Sequence, residues 1–259
     1  QYVQMAFFSK CQALSIGEQL DAGFRYLDIR LGVDTEKGAL QLMHGFTKCK
    51  TGVFSDTLLL EGVLEDCFRF LDAHPGETLI FAVKQEHGNE SVSEFETLLD
   101  AVIRKNESRW LLRDSLPTLG EARGKLVLLR RYEDEAGLGA RAGLPFLWTN
   151  QSGSAEFSLH AAAEPNGDFT LWVQDRYEYG SEDKWNAFTA GMNAARERAQ
   201  GDIAVHFLST KGTLAYGHPY LFAKRLDQKL LQANLALDGW IIVDFASAPL
   251  AERIYSANA

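Results

Sequence analysis

Two alternating periods constrain this chain most. Short β-rich runs, in which side chains change character every second residue, alternate with longer runs in which apolar residues recur at three and four. The first kind predicts strands at 24–31, 39–44, 78–85, 125–131, 169–175, 203–208 and 239–244. The second predicts helices at about 57–73, 91–105, 182–199 and 219–234. In the first helix Leu60, Val63, Leu64, Cys67, Phe68 and Leu71 form one apolar stripe, which places Cys67 in the core. The second opens on a capping box, Ser91 with Glu94 three residues on. Such a pattern is expected of a parallel sheet covered by helices, either a (β/α) barrel or an open doubly wound sheet. No fixed-period repeat or Pro-rich linker interrupts it, so the 259 residues are expected to form one α/β domain.

Composition narrows the partners. With 46% hydrophobic residues the chain can bury a sizeable core. Its 26 basic and 35 acidic side chains give a net charge of −9, which argues against a nucleic-acid partner and against general attraction to an anionic membrane. The longest apolar run, 79–83, is far shorter than the roughly 18 residues that cross a bilayer. Cys11, Cys49 and Cys67 are too scattered for a disulfide scaffold, and no CxxC pair suggests zinc.

The informative residues are charges at the ends of otherwise apolar strands. A period of two puts Asp28 and Arg30 on one face, Lys84 and Glu86 on another, and Asp175 beside Tyr177. The run 39–44 closes on His44 followed by Gly45, the run 125–131 ends in Arg130 and Arg131, and the last strand ends in Asp244. Any one of these reads as a structural ion pair or a satisfied polar group. Their recurrence at strand ends is costly unless they serve a common pocket, because each buried charge needs a partner. Guanidinium and ammonium groups of Arg30, Lys84 and Arg131, with one histidine and several carboxylates, suit an anionic phosphodiester next to a polyol. Metal-dependent hydrolysis fits less well: there is no HxH, HExxH or cluster of three carboxylates, and an arginine stands beside Asp28.

The ordered segments Gly23-Phe24-Arg25-Tyr26-Leu27-Asp28-Ile29-Arg30, Met43-His44-Gly45, Phe70-Leu71-Asp72-Ala73-His74-Pro75-Gly76-Glu77-Thr78 and Val83-Lys84-Gln85-Glu86 resemble those of the bacterial phosphatidylinositol-specific phospholipases C. The likeness continues through the segment from Gly124 to Tyr132, Val173-Gln174-Asp175-Arg176-Tyr177, and Gly239-Trp240-Ile241-Ile242-Val243-Asp244-Phe245. The resemblance implies a distorted (β/α)8 TIM barrel. It also implies a metal-independent cleavage in which the inositol 2-hydroxyl attacks the phosphodiester, releasing diacylglycerol and a cyclic inositol phosphate. By the same resemblance His44 is the general acid, Arg30 stands in for the calcium of metal-dependent relatives, and Asp28 is the carboxylate beside it. Lys84, Arg131 and Asp175 match positions that bind inositol hydroxyls, Tyr177 the ring on which inositol stacks, and Asp244 the aspartate that orients the general-base histidine.

One departure concerns that base, which the family carries in a Thr-His-Asp segment upstream of the Asp-Ile-Arg strand. No such segment is present, and by spacing it falls before Gln1; the retention of Asp244 favours a chain lacking its true N-terminus over one that has lost the base. The resemblance further implies no cofactor, a secreted monomer, and peripheral contact with a membrane containing phosphatidylinositol or a glycan-anchored form. Phe8, with Phe7, and Tyr216 resemble the regions where the family places interfacial tryptophans, and Cys11 and Cys49 are candidates to pair in a secreted protein. The competing readings are a glycerophosphodiester phosphodiesterase and a silent barrel that binds inositol lipids without cleaving them.

Overall fold

A computed structural model of the chain describes residues 9–50, 52, 55–86, 90–151, 169–212 and 218–258. In chain order the elements are α1 (Ile16–Asp21), β1 (Tyr26–Asp34), β2 (Ala39–His44), β3 (Thr47–Lys48), α2 (Leu60–Ala73), β4 (Leu79–Gln85), α3 (Val92–Arg104), β5 (Trp110–Leu111), α4 (Leu119–Ala122), β6 (Leu126–Arg130) and β7 (Leu144–Pro145). They continue with β8 (Leu171–Gln174), α5 (Ser181–Ala195), β9 (Ile203–Phe207), α6 (Pro219–Gln232), β10 (Trp240–Ile242) and α7 (Ala248–Tyr255). The chain divides into two compact units, Arg25–Leu147 and Gln1–Phe24 with Trp148–Ala259.

The unit Arg25–Leu147 is built on one sheet with strand order β3-β2-β1-β4-β6-β5, β7 pairing with β6. β1, β4 and β6 run parallel, in a register that pairs Asp28 with Ala82 and Arg30 with Lys84, and Ala82 in turn with Leu129. Directly paired residues point to the same side of a sheet. One face therefore carries Leu27, Phe81 and Leu128, all buried, and the other carries Asp28, Arg30, Lys84 and Arg131. Helix α2 buries the expected stripe, Cys67 included, although Phe70 rather than Phe68 completes it. It starts at Leu60, not near 57, because Thr57 and Leu59 are taken up in β-bridges to Lys50 and Gln41. The capping box of Ser91 with Glu94 forms as predicted, and Thr118 with Glu121 makes another.

One expectation fails here. β2 is not a further parallel strand but the return arm of a hairpin, antiparallel to β1 with Leu31 opposite Leu42. The turn is made by Asp34, whose Oδ1 accepts the N–H groups of Glu36 and Lys37, and by Gly38 at φ 60, a conformation L side chains rarely adopt.

The second unit holds a parallel three-stranded sheet, order β10-β9-β8. Its core gathers Phe188, Met192, Leu226, Leu230, Ile241, Val243 and Leu250 from α5, α6, α7 and the β10 segment. Cys11, Cys49 and Cys67 all stand as thiols, so Cys11 and Cys49, candidates to pair, are not bridged. Cys49 is held by backbone bonds to Leu42 and Leu58 instead, and burial, then the charge of Glu86, raises its thiol above the ordinary range. Among the described residues no helix is long and apolar enough to cross a membrane.

Candidate active site

Within Arg25–Leu147, five charged side chains meet on the polar face of the sheet. Arg30 Nη2 donates to Asp28 Oδ2 at 3.2 Å and Arg30 Nη1 to Glu86 Oε1 at 3.1 Å. Arg131 Nη1 lies 3.0 Å from Asp28 Oδ1, and Lys84 Nζ lies 3.4 Å from Glu86 Oε2. Register explains the convergence. Arg30 pairs with Lys84, and the N–H of Arg131 bonds the carbonyl of Val83, so three cations from three adjacent strands come to one level. The residue between Asp28 and the β6 strand is Ala82, whose small side chain lets the Arg131 guanidinium cross β4 to reach the carboxylate.

The electrostatics follow from that packing. Burial by itself would raise the Asp28 carboxyl, but Arg30, Arg131 and Lys84 outweigh it and hold it below the usual carboxylate range. Glu86 behaves alike: burial opposes ionisation, while Arg30, Lys84 and the Gly45 N–H favour it and prevail. Three cations against two carboxylates leave the cluster one positive charge. Arg130, by contrast, is buried on the opposite face and donates to the Tyr132 carbonyl at 2.7 Å.

His44 joins this group through the hairpin. Because β2 runs back along β1, its last residue returns toward the level of the Asp28–Arg30 stretch. The next residue, Gly45 at φ 56, points its N–H at Glu86 Oε1, 3.4 Å away. Glu86 thus ties Arg30, Lys84 and the His44 turn together. Strand periodicity put Glu86 beside Lys84, but its bridging role came only with the register, and no reading of single strands could supply it. Ala82 carried no sequence signal.

In the other unit Asp175 and Tyr177 follow β8. The N–H of Asp175 bonds Gln151 Oε1 at 2.9 Å, and its Oδ2 accepts from Trp148 Nε1 at 3.1 Å. Tyr177 donates its hydroxyl to Asn150 Oδ1 at 2.9 Å, and Lys211 Nζ lies 5.4 Å from the centre of its ring. Trp148, Asn150 and Gln151 were not singled out in the sequence because they lie in no periodic run. Asp244 stands in the bend after β10, followed by Phe245 at φ 51, a strained position for a non-glycine residue. Phe7, Phe8 and Tyr216 lie outside the described residues. Among the described residues no group of three His, Cys, Asp or Glu side chains is arranged to hold a metal ion.

Comparison with known proteins places these features. The chain is 27% identical over 257 residues to the 1-phosphatidylinositol phosphodiesterase of Staphylococcus aureus (strain Newman), covering 92% of this chain and 77% of that one. It is 34% identical over 152 residues to human PI-PLC X domain-containing protein 1, covering 56% of this chain and 44% of that protein. The solved phosphatidylinositol-specific phospholipase C from Listeria monocytogenes aligns with a TM-score of 0.75 at 23% identity, covering 100% of this chain and 87% of that one. A Staphylococcus aureus phospholipase C structure, from work on modulation of its membrane binding, aligns with a TM-score of 0.76 at 21% identity over 97% of this chain and 85% of that one. These likenesses show the α/β fold, the distorted barrel class that the sequence resemblance implied. The model of the family described as phosphatidylinositol-specific phospholipase C, X domain, matches residues 1–132, about half the chain, and includes every member of the charged cluster. The chain belongs to that phosphatidylinositol-specific phospholipase C X-domain family.

Proposed function

We propose that the protein is a phosphatidylinositol-specific phospholipase C that cleaves its substrate without metal, the inositol 2-hydroxyl displacing diacylglycerol to leave inositol 1,2-cyclic phosphate. One observation carries this reading: the cluster of Asp28, Arg30, Lys84, Glu86 and Arg131 holds a single net positive charge, the complement of one phosphodiester anion. Arg30, steered by two carboxylates, presents the guanidinium that meets the phosphate and the charge developing on it. His44 protonates the departing diacylglycerol oxygen. Asp28 fixes Arg30 and Arg131, and Asp244 matches the aspartate that in the family orients the histidine taking the 2-hydroxyl proton, a histidine for which these 259 residues hold no matching segment. Lys84, Arg131 and Asp175 hydrogen-bond inositol hydroxyls, and inositol stacks on Tyr177.

The protein acts as a secreted monomer that meets its lipid peripherally, with Phe8 and Tyr216 among the contacts and no nucleic-acid partner, in keeping with the charge of −9. Phe46, which follows the His44–Gly45 turn, supports peripheral contact from the described residues: it is the most exposed large apolar side chain among them, at 79%.

The test is cleavage of phosphatidylinositol micelles by protein expressed from the complete reading frame, in chelator, with phosphorus NMR following the product. Cyclic inositol phosphate formed in chelator is expected. Activity abolished by chelator would instead indicate a metal-dependent phosphodiesterase, and myo-inositol binding without product a barrel that only recognises the head group.

A further inference from the structure

Helix α5 opens Ser181-Glu182-Asp183-Lys184, a run that reads as a solvated first turn. Lys184 is instead wholly buried. Its Nζ donates to Gln174 Oε1 at 2.9 Å and to the carbonyl of Arg176 at 2.9 Å. Gln174, equally buried at the end of β8, donates through Nε2 to the Phe207 carbonyl at 2.8 Å, and its Oε1 also accepts the N–H of Arg176 at 3.0 Å. A single amide oxygen thereby collects both the lysine ammonium and the backbone two residues further on.

These bonds bracket Asp175. On its other side the buried Gln151 accepts the Asp175 N–H and donates to the Val173 carbonyl at 2.9 Å. The carbonyl of Tyr177 accepts from Thr210 Oγ1 at 3.0 Å and from the Lys211 N–H at 2.9 Å. Every backbone group named here from Val173 to Tyr177 is thus held by a specific partner. An ammonium is a costly donor to bury, because its charge is desolvated, and here it serves two acceptors of this turn. Burial draws Lys184 down to about 7, while Asp175 and Asp244 pull the other way and favour the charged form.

We propose that Lys184 is a positioning residue for head-group recognition, its buried ammonium clamping the Gln174–Arg176 turn so that Asp175 and Tyr177 are presented to inositol in one fixed orientation. The inference rests on the reading of Asp175 and Tyr177 as head-group residues. Lys184 touches no substrate and acts through Gln174 and the Arg176 carbonyl. Its loss takes the lysine donor from the Arg176 carbonyl and leaves Gln174 Oε1 with the Arg176 N–H, so the two are no longer tied through one ammonium and the turn relaxes.

The experiment compares Lys184→Met, Gln174→Met and the double variant with Asp175→Asn and with Phe188→Leu, a core change on the same helix. Myo-inositol affinity, kinetics on a soluble inositol phosphodiester and thermal melting are measured on each. Lys184→Met is expected to weaken myo-inositol binding about tenfold and to raise KM more than it lowers kcat. Gln174→Met should do the same, and the double variant should be no worse than the poorer single, because both break one clamp. Phe188→Leu should melt lower with unchanged affinity. If Lys184→Met does not fold, Gln174→Met carries the test alone. Affinity kept by the Lys184 and Gln174 variants but lost in Asp175→Asn overturns the clamp while sparing the head-group reading. Affinity unchanged in Asp175→Asn overturns that reading and the clamp with it.

Discussion

Arg131 Nη1 lies 3.0 Å from Asp28 Oδ1 although the whole of strand β4 separates their backbones. The guanidinium side chain is only 8% exposed, so this is a largely desolvated ion pair, and removing either partner would strand the other. Its closure depends on the smallness of Ala82, the residue that pairs with Asp28 on one side and Leu129 on the other.

Ala82→Leu tests that dependence without touching a charge. The larger side chain has to occupy the path between Arg131 and Asp28, at a stability cost of about 1–3 kcal/mol. We expect the fold to persist and turnover of a soluble inositol phosphodiester to drop about tenfold or more, since Arg30 then shares Asp28 with no second cation. Wild-type turnover in a folded Ala82→Leu protein would show that the crossing pair does not matter.

Glu86→Gln removes one of the two carboxylates while keeping shape. The cluster then carries two positive charges instead of one, and both Arg30 and Lys84 lose a charged acceptor. Inhibition by a simple anion such as sulfate should tighten while kcat falls. A variant whose anion inhibition is unchanged would exclude Glu86 as the group that tunes the cluster.

Much of this site was legible because strand periodicity is local. Two residues apart on one strand share a face, so Asp28 with Arg30 and Lys84 with Glu86 could be paired from the sequence, as could the stripe and cap of α2 and α3. What crosses strands was not legible. The Asp28–Arg131 pair, the role of Ala82 and the Glu86 bridge all depend on a register that no single run contains. The β1–β2 hairpin was missed although its signal, Asp34 to Gly38 between two alternating runs, was present. Lys184 was hidden differently: flanked by Glu182 and Asp183, it has the sequence context of a surface residue, and only tertiary packing buries it.

Phe46→Ser addresses lipid contact. At 79% exposed, two residues beyond His44, this ring is the most exposed large apolar side chain among the described residues, as expected of one that meets an apolar surface. Binding to phosphatidylinositol vesicles, followed by co-sedimentation, should weaken several-fold, roughly the worth of one partly inserted aromatic side chain. Melting temperature should not change. Equal vesicle binding by the variant and the parent would remove Phe46 from the membrane-facing surface.

His206 predicts an acid-side loss of stability. It is wholly buried, and neither ring nitrogen has a hydrogen-bond partner among the described residues. Burial, opposed only by Asp238 and reinforced by Arg198 and Lys184, lowers it to about 4. The unfolded chain therefore binds this proton near the ordinary histidine pKa of about 6.5 while the folded protein does not, so stability falls as pH drops from about 6.5 to about 4. His206→Phe should flatten that part of the melting-temperature profile. A variant that loses stability as steeply as the parent over this range would assign the effect to other groups.

Asp227 predicts the opposite slope. Burial first, and the neighbouring charge of Asp244 second, raise its carboxyl to about 7. The folded protein keeps a proton that the unfolded chain releases near the ordinary aspartate pKa of about 4, so the contribution to stability is complete below that value and is lost as pH rises through about 7. Asp227→Asn, which cannot ionise, should melt higher than the parent at about pH 8 and show the advantage shrink toward pH 5. The paired variant Asp244→Asn should lower the apparent pKa of Asp227, because one of its two causes is gone, so that the loss of stability with rising pH ends at a lower pH and is smaller in total. If Asp227→Asn gives the same gain at pH 5 as at pH 8, the effect is one of packing rather than of a retained proton.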